Sequence, residues 1–165
     1  MQHLYAPWRD AYIKDKSKNG CVFCAIADDD NMEQNRVLYK DSDLFIVMKA
    51  YPYTPGHFMV IPTKHAQTLN QISQTLWIKI SLAVHKSTNL LKKTLNPEGV
   101  NLGMNIEAAA GAGIAEHLHY HVVPRWSKDT NFITAVGQTR VYSTDFDRIF
   151  YKLQEAFRDF TLDTA

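Results

Sequence analysis

Histidines stand at positions 117, 119 and 121, alternating with Leu118, Tyr120 and Val122 and running on into Val123-Pro124. Side chains of an extended segment alternate between faces. The three imidazoles therefore share one face, about 6–7 Å from one to the next, while the apolar residues turn into a core. Three imidazoles on one face admit three readings. They can be a solvated surface that happens to be histidine. They can ligate a metal, although three collinear donors converge poorly on the tetrahedral geometry that zinc takes. Or they can do nucleophilic and acid–base chemistry, because an unperturbed imidazole, with a pKa near 6.5, is neutral enough to attack and protonated enough to assist. A histidine nucleophile suits phosphorus, since the phosphoramidate it forms is labile to water or phosphate.

Cys21 and Cys24 are the chain's two cysteines, spaced C-x-x-C. Small buried thiols in a core, a redox pair and half of a metal site are all compatible with that spacing. A redox pair usually opens a helix after a strand in a βαβ pattern, which the surrounding sequence lacks.

These groups must be positioned by the rest of the chain. It has 165 residues, 45% hydrophobic and 21% charged, with a net charge of +1. That length predicts one domain with a core large enough to fold without disulfides. The balanced charge argues against a broad nucleic-acid groove. No apolar run reaches the length of a membrane span and Met1–Asp15 lacks the pattern of a secretory signal, so a cytoplasmic location is expected. The first 19 residues, with Tyr5, Trp8 and Tyr12, read as an aromatic arm that lies on another surface. Residues 20–142 read as the main body and 143–165 as a helix packed on it. Within the body, Val37–Tyr39 and Leu44–Met48 flank the turn triplet Asp41-Ser42-Asp43 as a hairpin. His57–Ile61 forms a third strand, and Val100–Asn105 and His117–Val123 two more. Leu76, Ile80, Val84, Leu91 and Leu95 mark one face of a helix within Ser73–Leu95, stopped by Pro97 and Gly99. Trp77 and Leu90 fall off that stripe and predict a second apolar face. Thr144-x-x-Asp147 reads as a capping box for the last helix, with Phe146, Ile149, Phe150, Leu153 and Phe157 on its buried side. The expected fold is α+β, with about five antiparallel strands, one long helix and a C-terminal helix.

HLHYHVV resembles the H-x-H-x-H-hydrophobic-hydrophobic signature of the histidine-triad (HIT) superfamily of nucleotide hydrolases and transferases. CVFCAI, YPYTPGHFMVIPTKH, the long helix and NLGMN precede it in the family's order, so the resemblance covers roughly Gly20 to Trp126. LYAPWR, YPYTPGH and AEHLHYHVVPRW followed by DTNFITAVGQTRV resemble the branch that includes bacterial diadenosine tetraphosphate phosphorylases. The resemblance implies a HIT-like fold in residues 20–142. It further implies that His119 attacks the α-phosphorus of a nucleotide to form a nucleotidyl-histidine, with His121 contacting the phosphate. It implies a structural zinc held by Cys21, Cys24, His65 and His117, a set of four N/S ligands. A purine pocket is implied against Val22, Phe23, Ile26 and Val47, with Asn105 and Gly113 toward the phosphates, and a homodimer is the family's habit.

Two positions depart from the family pattern. Lys49 stands where an acceptor for ribose hydroxyls, Asp or Asn, is usual, and an ammonium has donors only. Gly113-Ile114-Ala115-Glu116 offers no hydroxyl beside the leaving group. Phosphorolysis or hydrolysis of a dinucleoside polyphosphate leads the functional readings. Hydrolysis of a nucleoside phosphoramidate or adenylylated amine is the alternative, and a nucleotide-binding module without turnover is a further one. The expected partners are a nucleotide substrate and a second copy of the chain, with neither a nucleic-acid polymer nor a membrane.

Overall fold

The computed structural model describes residues 20–127, 129–139 and 144–162, so the aromatic arm around Tyr5 and Trp8 lies outside the described residues. Five strands form one sheet: β1 (Val37–Lys40), β2 (Leu44–Met48), β3 (Phe58–Pro62), β4 (Gly99–Gly103) and β5 (Tyr120–Arg125). Their spatial order is β1-β2-β3-β5-β4, and every neighbouring pair is antiparallel. Four α-helices accompany them among the described residues: α1 (Val22–Asp28), α2 (Gln74–Leu95), α3 (Phe132–Val136) and α4 (Phe146–Ala156). The α+β architecture is the expected one.

The sheet's centre is apolar on both faces, which is why β2 and β3 read as unbroken apolar runs rather than as alternations. Leu44, Ile46, Met48, Phe58, Val60 and Val122 meet Ile80, Ala83, Val84 and Leu91 of α2 and Phe150 and Leu153 of α4 in one cluster. Phe45, Val47, Met59 and Ile61 form the opposite face, packed on Phe23 and Ala27 of α1. The triad belongs to that second face, because His121 is the register partner of Met59.

Local chemistry sets the element boundaries. In the β1–β2 turn the Asp41 carboxylate accepts from the N–H groups of Asp43 and Leu44. Lys79 of α2 then bridges Asp41 and Asp43 at 3.0 and 2.6 Å, tying helix to hairpin. Ser73 caps α2 by accepting from Leu76 N–H, and Asn96 closes it in the left-handed region at φ +49°.

The structure corrects four expectations. The cap of α4 is Asp145, whose carboxylate accepts from Asp147 and Arg148 N–H, and not Thr144. Trp77 and Leu90 pack against the main core and do not form a second face on α2. β4 ends at Gly103 and β5 begins at Tyr120, so Asn105, His117 and His119 lie just outside the ladder. The short helices α1 and α3 carry no periodicity long enough to announce them, and the sequence reading has neither.

Candidate active site and metal centre

The loop before β3 is built to deliver a histidine. Thr54, fully buried, donates its hydroxyl to Pro124 C=O at 2.7 Å, and His57 N–H returns to Thr54 C=O. Gly56 turns the chain at φ +83°, where a Cβ would stand 2.5 Å from a Leu95 methyl, so only glycine fits. His57 follows with no exposed surface, and its ring lies on the triad face. Tyr53 N–H donates to His57 Nδ1 at 3.1 Å. A backbone N–H can only donate, so the remaining ring proton of His57 sits on Nε2, which donates to His121 Nδ1 at 3.0 Å. By the same logic His121 carries its proton on Nε2. The sequence reading missed His57, although it lies inside YPYTPGHFMVIPTKH. Alternation with Met59 and Ile61 was the available signal, but only the pairing of β3 with β5 makes it a neighbour of the triad.

His119 is set independently. Its Nδ1 is 2.8 Å from its neighbour's carbonyl, that of His117, so Nδ1 carries the proton and Nε2 keeps a lone pair. The Phe23 ring packs 5.2 Å from the His119 ring, and His121 meets it edge-on at 4.9 Å. Burial, foremost, holds these imidazoles neutral. His57 is pushed down to about 2 by burial and by the neighbouring His121 and Lys49, and His121 to about 4 by burial, His119 and Lys49. His119 is lowered by burial, against which its bond to the His117 carbonyl works.

The third histidine faces a different task. His117 Nε2 donates to Pro62 C=O at 2.9 Å, which leaves the Nδ1 lone pair aimed at Cys21 Sγ, 3.3 Å away, and Cys24 Sγ, 3.7 Å away. His65 Nδ1 lies 3.2 Å from Cys24 Sγ. All four donor atoms fall within 4.8 Å of one another, a cluster able to hold a metal ion. The donor set fits zinc: two thiols and two imidazoles, one of them with its tautomer locked by a carbonyl behind it. Desolvation and the adjacent Cys21 push the Cys24 thiol up to about 11. α1 accounts for the geometry, since one turn brings Cys24 back beside Cys21.

The other predicted residues divide. Phe23 and Val47 are buried in the sheet's second face, Ile26 lies at its rim, and Val22 is 45% exposed. Gly103 closes β4 opposite His121, and Asn105 follows two residues on, half-buried and outside the ladder. Gly113 lies exposed in the following loop, where a Cβ would meet nothing; the left-handed glycine of that loop is Gly111. Lys49 follows β2, its ammonium 4.9 Å from the centre of the Tyr53 ring. It also lines a cavity of about 420 Å³ with Arg36, Pro52 and Asp145, and no histidine of the triad lines that cavity.

The HIT domain profile matches residues 31–128. The chain is 31% identical over 149 residues to the AP-4-A phosphorylase of Mycobacterium tuberculosis, covering 86% of this chain and 76% of that protein. It is 30% identical over 131 residues to adenylylsulfatase HINT3 of Arabidopsis thaliana, covering 79% and 64% respectively. Among solved structures, a zinc-bound histidine triad family protein from Mycobacterium smegmatis superposes with a TM-score of 0.68 at 26% identity, over 84% of this chain and 93% of that one. With its triad, its sheet order and this profile match together, the chain belongs to the HIT domain family, in the branch resembling AP-4-A phosphorylase.

Proposed function

We propose that the chain is a nucleotide hydrolase or transferase that attacks an α-phosphorus through His119 and acts on dinucleoside polyphosphates, by phosphorolysis or hydrolysis. The observation that carries this reading is the pair of fixed tautomers: a lone pair on His119 Nε2 beside a proton on His121 Nε2. In the first step the Nε2–P bond forms as the P–O bond to the departing phosphate breaks. The ring becomes cationic, and the His117 carbonyl already faces its Nδ1–H. His121 donates to the phosphate oxygens as charge develops, with His57 preventing its ring from presenting the wrong nitrogen. In the second step inorganic phosphate or water attacks, the P–Nε2 bond breaks, and His119 is regenerated; with water, one proton is released to solvent. Similarity to the M. tuberculosis AP-4-A phosphorylase supports the substrate class. Zinc, when bound by Cys21, Cys24, His65 and His117, would supply a structural cross-link from α1 to the segment entering the triad. No chemical step uses it.

Nucleoside phosphoramidates or adenylylated amines are the alternative substrate class. An amine must leave protonated, and Gly113–Glu116 brings no side-chain hydroxyl to assist it, whereas a phosphate leaves as an anion, so the dinucleoside polyphosphate reading leads. Incubation with diadenosine tetraphosphate and with adenosine phosphoramidate, each with and without inorganic phosphate, separates these readings. Alkaline quench and peptide mass analysis should find the nucleotidyl adduct on His119 in the wild-type protein. His119→Ala should abolish turnover with the fold intact. An adduct on another residue, or turnover surviving in His119→Ala, overturns the assignment.

A further inference from the structure

An exposed tyrosine lies on the pair of histidines that orients the site. His57 has no exposed surface and His121 is 8% exposed, yet Tyr53, which packs on both, is 45% exposed. The Tyr53 and His57 rings lie 4.7 Å apart and within 34° of parallel, and Tyr53 reaches the His121 ring at 5.9 Å. Tyr53 therefore meets His57 twice. Its backbone N–H donates to Nδ1, and its side chain lies on the face of the same imidazole. The loop has other ties, from the Thr54 hydroxyl to Pro124 C=O and from His57 N–H to Thr54 C=O. The Tyr53 ring is thus not what sets the backbone.

The histidine pair tolerates one arrangement of protons. His57 Nε2 donates to His121 Nδ1 at 3.0 Å, while His57 Nδ1 accepts from Tyr53 N–H. A second proton on either ring puts two N–H groups face to face and breaks a bond. Water competes for the same donor and acceptor, so a dry pair keeps its arrangement and a wet one does not. We infer that Tyr53 is a positioning residue, whose ring keeps water off the His57–His121 hydrogen bond and so preserves the orientation in which His121 meets the phosphate. The inference rests on the reading of His121 as the phosphate donor. Burial is the first cause of the lowered values of His57, about 2, and of His121, about 4, which agrees with a cover over both. Lys49, whose ammonium lies over the Tyr53 ring, and His119 also lower both, and the two histidines face each other.

The test uses the full-length chain as wild type, Tyr53→Phe, Tyr53→Leu and Tyr53→Ala. Each variant keeps the backbone N–H, so the cover is what changes. NMR titration of isotope-labelled histidine rings reads protonation directly. Its consequence is read as kcat for diadenosine tetraphosphate, or for adenosine phosphoramidate where that is the substrate. In Tyr53→Ala, His57 or His121 should titrate near the ordinary value of about 6.5. The ratio of its kcat to that of wild type should then fall about tenfold between about pH 8 and about pH 5.5, with KM little changed. Tyr53→Phe should follow wild type in both readouts, and Tyr53→Leu should lie between. Tyr53→Leu is also the variant judged if Tyr53→Ala fails to fold. Histidine titrations that do not move, or an equal kcat defect at both pH values, overturn the proposal. So does a Tyr53→Phe variant as impaired as Tyr53→Ala. If the wild type turns over neither substrate, the proposed reaction falls and the NMR titration alone decides. A shift in Tyr53→Ala then sustains the shielding of the pair, and its absence overturns it.

Discussion

His57 shows how much chemistry one unexposed side chain can organise. It sits on no reacting atom, yet its Nε2–H decides which nitrogen of His121 carries a proton. We expect His57→Leu to lower kcat by about tenfold to a hundredfold with KM little changed, the pattern of a lost transition-state contact. His57→Gln, whose amide can occupy the Nε2 position as a donor, should recover part of it; an equal defect in both variants would reduce His57 to packing. The same residue makes a pH prediction. The folded value of His57 is about 2 and that of His121 about 4, both below the unfolded value of 6.5. As pH falls below 6.5 the unfolded chain takes up protons that the native chain refuses. Stability that is full above 6.5 is thus lost on acidification, down to about 4 for His121 and about 2 for His57. Each such histidine contributes a slope of about 1.4 kcal/mol per pH unit within its window. Urea midpoints of wild type and His57→Gln between pH 6 and 4 should diverge by that slope, the variant falling less steeply; parallel curves would show that His57 titrates normally.

At the scale of elements, two short segments hold the site: the loop 51–57 and helix α1. Gly56→Ala forces a side chain into the left-handed region against Leu95, and should cost about 1–2 kcal/mol from backbone strain alone. Thermal melts with and without added substrate would show whether the loss stays in the fold or also loosens His57. In α1, Cys24→Ser should release the one zinc per chain that we expect and lower Tm by roughly 5–10 °C. A fully stable variant, or a wild type without zinc in metal analysis, would return the cysteines to the core. The sheet and α2 were legible in the sequence because their periodicities are long: Leu44–Met48, Phe58–Pro62 and the Ile80, Val84, Leu91 stripe leave little choice. The triad was legible from its spacing alone. What stayed hidden was pairwise and local. Nothing in a one-dimensional pattern tells that Met59 is the register partner of His121, or that a Trp77 off the stripe still reaches the core through the length of its side chain. Asp145 was passed over for Thr144 because both are good caps one residue apart, and only the donors they meet distinguish them.

The whole molecule leaves one side unfinished. No helix among the described residues is long and apolar enough to cross a membrane. β4 lies at the end of the sheet order, so one row of its backbone groups has no strand partner among the described residues, and Leu102 on it is 47% exposed. α3, a few residues after β5, adds Phe132 at 74% and Val136 at 66% exposure. A twisted edge strand with an apolar side chain and no inward charge is an invitation to pair unless something covers it. The long helix offers less for association, because Trp77 and Leu90 already pack on the core within the chain, which leaves Ile78, 60% exposed, as its outward apolar group. The β4 edge and α3 supply the reason in its place, and a second copy of the chain, related by a two-fold axis, is the occupant we expect. Light scattering at micromolar concentration should give the mass of two chains. Leu102→Lys, which puts a charge on the edge without touching the core, should shift the protein toward monomer, while a charge placed at exposed Ile78 of α2 should leave it dimeric. A monomeric wild type would remove the edge-pairing argument. A dimer broken by the Ile78 charge and untouched by Leu102→Lys would move the interface back to the long helix. Because Gly103 on the same strand lies opposite His121, edge pairing would also stiffen the strand that flanks the triad. Wild-type activity per chain should therefore rise with concentration across the dissociation range, and the Leu102→Lys variant should be flat.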